Sequence, residues 1–144
     1  MSLEAPLVMI VEDTLDAATL MQISLRRAGI QDILHAENGR MALDYLEMYT
    51  PDVLILDIGM PDMNGWELAT AIRRRSETIA LAIVSGWADA ISCDTRNVVK
   101  ADWVVSKPFD INRISEIAHE INERKKLVAF PNAQNVDTVD RRRS

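Results

Sequence analysis

Cysteine occurs once in the 144 residues, at Cys93, so no internal disulfide can form and a cysteine-based metal site lacks ligands. That suits a reducing, cytoplasmic setting. Long apolar runs are also missing. The longest, Leu7 to Val11 and Ile79 to Val84, fall far below the roughly 20 residues that a bilayer span needs, so no membrane association is expected. Near the N-terminus no apolar stretch is long enough for a signal peptide. Positive charge is in short supply as well: 16 Lys+Arg stand against 22 Asp+Glu, a net charge of −6, which argues against direct nucleic-acid binding. The two basic triplets, Arg73-Arg74-Arg75 and Arg141-Arg142-Arg143, read as solvated surface. What the chain does have is apolar content, 48% of its residues, enough to offset the ordering entropy of one domain.

Short apolar runs alternate with stretches of helical period, the sign of an α/β fold. The runs are Leu7 to Val11, Ile33 to Ala36, Val53 to Leu56, Leu81 to Val84 and Trp103 to Val105. Most are continuous rather than alternating, as expected of parallel strands covered on both faces. Between them, Ala17, Leu20, Met21, Ser24, Leu25 and Ala28 mark one helix face, with Gly29 as its C-cap. Ala42, Leu46 and Tyr49 mark a second helix. Leu68, Ala69 and Ile72 mark a third, N-capped by Asn64. Asp89 to Val98 is a weaker fourth, and Ile111, Ile114, Ala118 and Ile121 define a fifth. One domain is therefore expected over residues 1–128, with 129–144 a poorly ordered tail or linker.

Acids, a hydroxyl and an amine concentrate where strands should end. Glu12 and Asp13 close the first run, Asp57 the third, Ser85 the fourth, and Lys107, followed by Pro108, the fifth. In a doubly wound parallel sheet the carboxyl ends of neighbouring strands border one crevice, so these five side chains are predicted to meet. Three carboxylates there repel one another, and the usual remedy is a hard cation with oxygen ligands, Mg²⁺. Beside a Lys ammonium and a hydroxyl donor, such a cation equips the crevice to hold a phosphoryl group. One carboxylate can then serve as nucleophile and become an acyl phosphate. Asp57, closing the central strand, is best placed for this, which leaves Glu12 and Asp13 for the metal.

In these residues the chain resembles the receiver domain of two-component response regulators. The resemblance runs from about Leu7 to Lys126. It rests on Glu12-Asp13, on Asp57-Ile58-Gly59-Met60-Pro61-Asp62-Met63-Asn64-Gly65, on Ser85-Gly86 and on Lys107-Pro108-Phe109, in order and at fitting intervals. It implies a flavodoxin-like fold: a doubly wound five-stranded parallel sheet of strand order 2-1-3-4-5 with five helices. It also implies that Asp57 is the phosphoacceptor, and that Asp13, Asp57 and the backbone carbonyl of Gly59 bind Mg²⁺, with Glu12 acting through metal-bound water. Ser85 and Lys107 would contact the phosphoryl oxygens, and the Lys107–Pro108 bond would be cis. The donor would be a histidine kinase or a phosphotransfer protein. The output would be a docking surface for a downstream protein or a second copy of the chain, formed by the fourth helix, fifth strand and fifth helix. One departure stands out at Val104, where the family usually carries an aromatic residue three positions before the Lys. Trp103 should face the other side of the strand. The switch is therefore expected in the Ser85-Gly86-Trp87 loop and the fourth helix; Trp87 and Trp103 are either core residues or, if partly exposed, border the docking face.

Readings of other classes account for less. A Mg²⁺-dependent phosphatase of the haloacid dehalogenase type also uses an Asp nucleophile, but it wants a second Asp two residues on, where Gly59 stands. A non-phosphorylated interaction module leaves the intact acid set unexplained. The expectation is a phosphoacceptor switch with at most self-phosphorylation and self-dephosphorylation, not an enzyme, either standing alone or forming part of a longer protein. His35 and His119 are expected to be structural.

Overall fold

A computed structural model describes residues 5–60, 64–86, 99–107 and 110–129, with side chains to residue 124. Outside the described residues lie the expected helix from Asp89 to Val98, Trp87, Cys93, the Lys107–Pro108 bond and the chain from Phe130 onward, including its basic triplet. Strands β1 (Leu7–Val11), β2 (Asp32–Ala36), β3 (Val53–Asp57), β4 (Ala80–Ser85) and β5 (Trp103–Ser106) alternate with helices α1 (Leu15–Arg27), α2 (Gly39–Met48), α3 (Gly65–Arg75) and α4 (Ile111–Ala129). The last of these is the fifth helix of the sequence pattern. Every strand pair is parallel and the order is β2-β1-β3-β4-β5, a flavodoxin-like sheet.

Alternation along the strands divides the core in two. Val8 and Ile10 of β1, Ile55 of β3 and Val84 of β4 face one side, where Met21 and Leu25 of α1 and Ile114 and Ile117 of α4 cover them. Met9, Val11, Leu54, Leu56 and Ile83 face the other, beneath Leu46 of α2 and Leu68 and Ile72 of α3. Central β3 is buried at all five positions, which is why its sequence reads as an unbroken apolar run ending in Asp57. No described helix is long and apolar enough to cross a membrane.

Helix ends follow local chemistry. Asn38 and Asn64 cap α2 and α3, their side chains accepting the backbone N–H groups of Met41 and of Trp66 and Glu67. Past α1 the chain passes through Gly29 at φ +97°, a left-handed position that suits glycine, and Asn122 of α4 donates to the carbonyl of Ala28.

Two expectations need correction, and one open alternative is resolved. Leu20 is 42% exposed, and the buried face of α1 runs instead through Ala18, Met21, Ser24 and Leu25. At about 100° per residue, Leu20 points roughly 110° away from the mean direction of those four side chains, beyond the edge of their stripe. Arg73 is not solvated surface: it is buried, and its guanidinium turns inward from the last turn of α3. There Nη1 donates to the carbonyls of Ile79 (2.7 Å), Glu77 (3.0 Å) and Ser76 (3.4 Å), Nε to Val99 (2.8 Å) and Nη2 to Lys100 (3.1 Å). Its neighbours Arg74 and Arg75 are the exposed members of the triplet. Finally, Trp103 borders no open face. It is only 6% exposed, its indole N–H donates to Glu120, and the Arg124 guanidinium lies 4.6 Å above its ring. Val104 points the opposite way and is 42% exposed, as strand alternation requires.

Candidate functional site

The strand order reverses direction between β1 and β3, so the crevice outside their carboxyl ends is the place where this topology leaves room for a ligand. Register brings the acids there. Val11 lies opposite Leu56, so Glu12 and Asp57 emerge side by side, and the N–H of Glu12 continues the β1–β2 ladder by one bond to the Ala36 carbonyl (3.1 Å). Carboxylate oxygens of Glu12, Asp13 and Asp57 all lie within 4.8 Å of one another. Glu12 and Asp57 are buried, while Asp13 faces solvent.

Asp57 is held at both oxygens. Its Oδ1 accepts the backbone N–H of Gly59 (2.8 Å), and its Oδ2 pairs with Lys107 Nζ (2.7 Å). The lysine reaches across β4 because its own N–H bonds to the Ser85 carbonyl (2.8 Å), carrying the β4–β5 pairing one step beyond Ser106. Ser85, half-buried, closes β4 one residue past Val84, the register partner of Asp57. The fold thus brings all five predicted side chains to one end of the sheet. Gly59 joins them through the N–H that it gives to Asp57.

Crowding shows in the protonation of Glu12. Burial, followed by hydrogen bonding and charge repulsion from Asp57, pushes its carboxyl up to about 8 from an ordinary 4.5, although the Thr14 N–H opposes the shift. A cation would relieve this directly. Clustered carboxylate oxygens, one set of them open to solvent, are the hard donors that Mg²⁺ takes while keeping several waters.

Two residues matter here that the sequence reading did not assign to the site. The Nε2–H of His35, near the end of β2, donates to the backbone carbonyl of Glu12 (2.9 Å). Nothing in the sequence separated it from a structural histidine except its place one residue before the end of a strand. Gly65 opens α3 so close to the loop after Asp57 that an added Cβ would stand 2.3 Å from the Cα of Ile58. Its place in the quoted motif was legible, its packing was not.

A flavodoxin-like sheet that sets an acid cluster and an opposing lysine at the carboxyl ends of β1, β3 and β5 defines a response-regulator receiver. The family profile described as the response regulator receiver domain matches residues 8–119, and the chain belongs to that family, the receiver domains of two-component systems. It is 34% identical over 113 residues to the virulence transcriptional regulatory protein PhoP of Salmonella typhimurium, covering 74% of this chain and 47% of that protein. It is 37% identical over 100 residues to a protein-glutamate methylesterase/protein-glutamine glutaminase of Treponema pallidum, covering 68% of this chain and 24% of that one. The chain thus spans about half, or less, of the length of these curated relatives. Among solved structures, a CheY-like response regulator receiver domain protein from Methanospirillum hungatei JF-1 superposes with a TM-score of 0.68 at 27% identity, over 83% of this chain and 95% of that one. Receiver domains are generally phosphoacceptor switches. They bind Mg²⁺ at their acidic pocket, and they work with histidine kinases or phosphotransfer proteins and with downstream effectors.

Proposed function

We propose that Asp57 accepts a phosphoryl group from a histidine kinase, a phosphotransfer protein or a small acyl phosphate, and that the chain catalyses nothing beyond its own phosphorylation and dephosphorylation. The observation that carries this reading is the double restraint of Asp57, with Oδ1 on the Gly59 N–H and Oδ2 on Lys107 Nζ at the centre of the acid cluster. A carboxylate so held is oriented for in-line attack. A new bond forms between an Asp57 oxygen and phosphorus as the bond to the donor's imidazole nitrogen or acetate oxygen breaks, and the departing group keeps that electron pair.

Each neighbour has a proposed task. Lys107 exchanges its pairing with the carboxylate for the phosphoryl oxygens, and the Ser85 hydroxyl donates to another of them. Asp13, Asp57 and the Gly59 carbonyl would hold Mg²⁺, with Glu12 acting through its bound water. When bound, Mg²⁺ neutralises charge on the transferring group. Output is proposed to pass through the Ser85 loop to the solvent-facing side of β5, where exposed Val104 takes the place of the usual aromatic residue. The docking surface for an effector or a second copy would extend from there onto α4.

Intact-mass measurement after incubation with Mg²⁺ and acetyl phosphate tests the reading. Wild type should gain one phosphoryl mass and Asp57→Asn none. Equal labelling of both would remove Asp57 from its role.

A further inference from the structure

We infer that His35 is a positioning residue for the metal-binding loop, its imidazole fixing the peptide that joins Glu12 to Asp13. The inference rests on the phosphoacceptor reading above and adds to it a residue that touches neither metal nor phosphoryl group. The last register pair between β1 and β2 is Val11 with Ala36. One more ladder bond takes the N–H of Glu12 to Ala36, and there the strand ends. The Glu12 carbonyl points onward, and the Nε2–H of His35 meets it at 2.9 Å, in place of a further rung of the ladder.

The surroundings make this contact matter. Between Glu12 and the first residue of α1, Leu15, the chain has only Asp13 and Thr14 in which to change from strand to helix. Thr14 caps α1 without a side-chain hydrogen bond, so α1 holds the loop from its side through the Thr14 carbonyl, which accepts the Ala18 N–H (3.0 Å), and leaves the Glu12–Asp13 peptide to other partners. The Thr14 N–H is given instead to the Glu12 carboxylate (3.3 Å). The orientation of the Glu12–Asp13 peptide therefore sets two directions at once: that of the solvent-facing Asp13 carboxylate, and that of the N–H that steadies Glu12. A site of this kind tolerates only about 0.5 Å of misplacement, which a freed peptide plane exceeds easily. A half-buried position near the end of an edge strand would otherwise suit a β-branched residue. The imidazole earns its place by reaching a carbonyl that a hydrocarbon leaves without a donor.

The test is Mg²⁺ titration by calorimetry of the full chain as wild type, His35→Val and His35→Gln, with thermal melts of each protein free of metal. Gln carries its amide nitrogen at about the reach of imidazole Nε2 and keeps a donor, whereas Val keeps strand propensity and removes it. The expected result is about tenfold weaker Mg²⁺ binding in His35→Val, with near wild-type binding restored in His35→Gln, while both retain a cooperative melt. Wild-type affinity in His35→Val overturns the inference, as does an equal loss in both variants. Should His35→Val fail to fold, His35→Asn takes its place, because its shorter amide cannot span to the carbonyl, and wild-type affinity there overturns the inference in the same way. Failure of the wild type itself to take up Mg²⁺ is a different result: it removes the metal reading on which the inference rests.

Discussion

At Arg73, five carbonyl groups converge on one guanidinium, three from the turn between α3 and β4 and two from Val99 and Lys100 ahead of β5. Four of these carbonyls belong to irregular chain and that of Val99 to a helical residue just before it, where regular ladders do not satisfy them, and buried acceptors without partners cost stability. Lys100 adds to the demand. It sits at φ 54°, in the left-handed region that side chains other than glycine enter at a cost of about 1–2 kcal/mol, and its carbonyl is one of those held. Hydrogen bonds to a charged group contribute about 1.5–3 kcal/mol. Arg73→Met is therefore expected to lower unfolding free energy by roughly 2–4 kcal/mol in urea denaturation, against less than about 0.5 kcal/mol for Arg74→Met at the exposed position next to it. Equal losses would show that Arg73 acts as generic helix surface. Ser24 presents the opposite case: its hydroxyl is fully buried on α1 with no hydrogen-bond partner among the described residues. Ser24→Ala removes a desolvated group at almost no cost in volume, so it should leave stability unchanged or raise it by up to about 1 kcal/mol. A clear loss in the same denaturation experiment would mean that the hydroxyl has a partner.

Among the elements, α3 is the one most closely bound to the proposed chemistry, because its first residue packs on the loop that follows Asp57, the proposed phosphoacceptor. A Cβ on Gly65 would lie 2.3 Å from the Ile58 Cα and 2.8 Å from the Ile58 carbonyl oxygen, both backbone atoms that no side-chain rotation can clear. Gly65→Ala must therefore move the loop that carries Gly59, the donor to Asp57 Oδ1. The expectation is a cost of about 1–3 kcal/mol in stability together with a much slower rate of labelling by acetyl phosphate. Labelling at the wild-type rate in a folded variant would show that the loop yields without disturbing Asp57. The same elements show what sequence can and cannot reveal. β3 was legible because burial on both faces leaves five consecutive apolar or site residues, and α3 because Asn64 announces its start. Strand order came only with the family resemblance, since five similar apolar runs carry no mark of which lies beside which. Arg73 was misread because its partners at Val99 and Lys100 stand 26 and 27 residues away, so local pattern showed only a basic triplet. The burial of Trp103 stayed open for the same reason. The Glu120 and Arg124 side chains that enclose it belong to α4, and together with the Arg124–Asp102 ion pair (3.5 Å) they fasten that helix to the start of β5.

Across the whole molecule, the charge cluster ties folding, metal and proton together. Without metal, folded Glu12 keeps its proton until about pH 8, whereas in the unfolded chain it releases it near 4.5. Between those values the folded state binds more protons than the unfolded one, so this group's contribution to stability is full below about pH 4.5 and is lost as pH rises toward 8. One such proton changes stability by at most about 1.4 kcal/mol per pH unit. Bound at the cluster as proposed, Mg²⁺ would reverse the balance, because it favours the ionised carboxyl and would have to displace that proton to gain its full attraction. Its affinity should accordingly tighten from pH 6 to pH 8, by something under tenfold per unit, and the rise in melting temperature that it produces should grow over the same range. The control has to keep every other ionisable group. Glu12→Gln does so while removing the carboxyl, and it should bind Mg²⁺ with little dependence on pH and melt without the alkaline decline of the metal-free wild type. Melting curves with and without Mg²⁺ at pH 6, 7 and 8 decide the matter. An increment in wild type that stays constant across the three, or one that grows equally in Glu12→Gln, would place the coupled proton on another group.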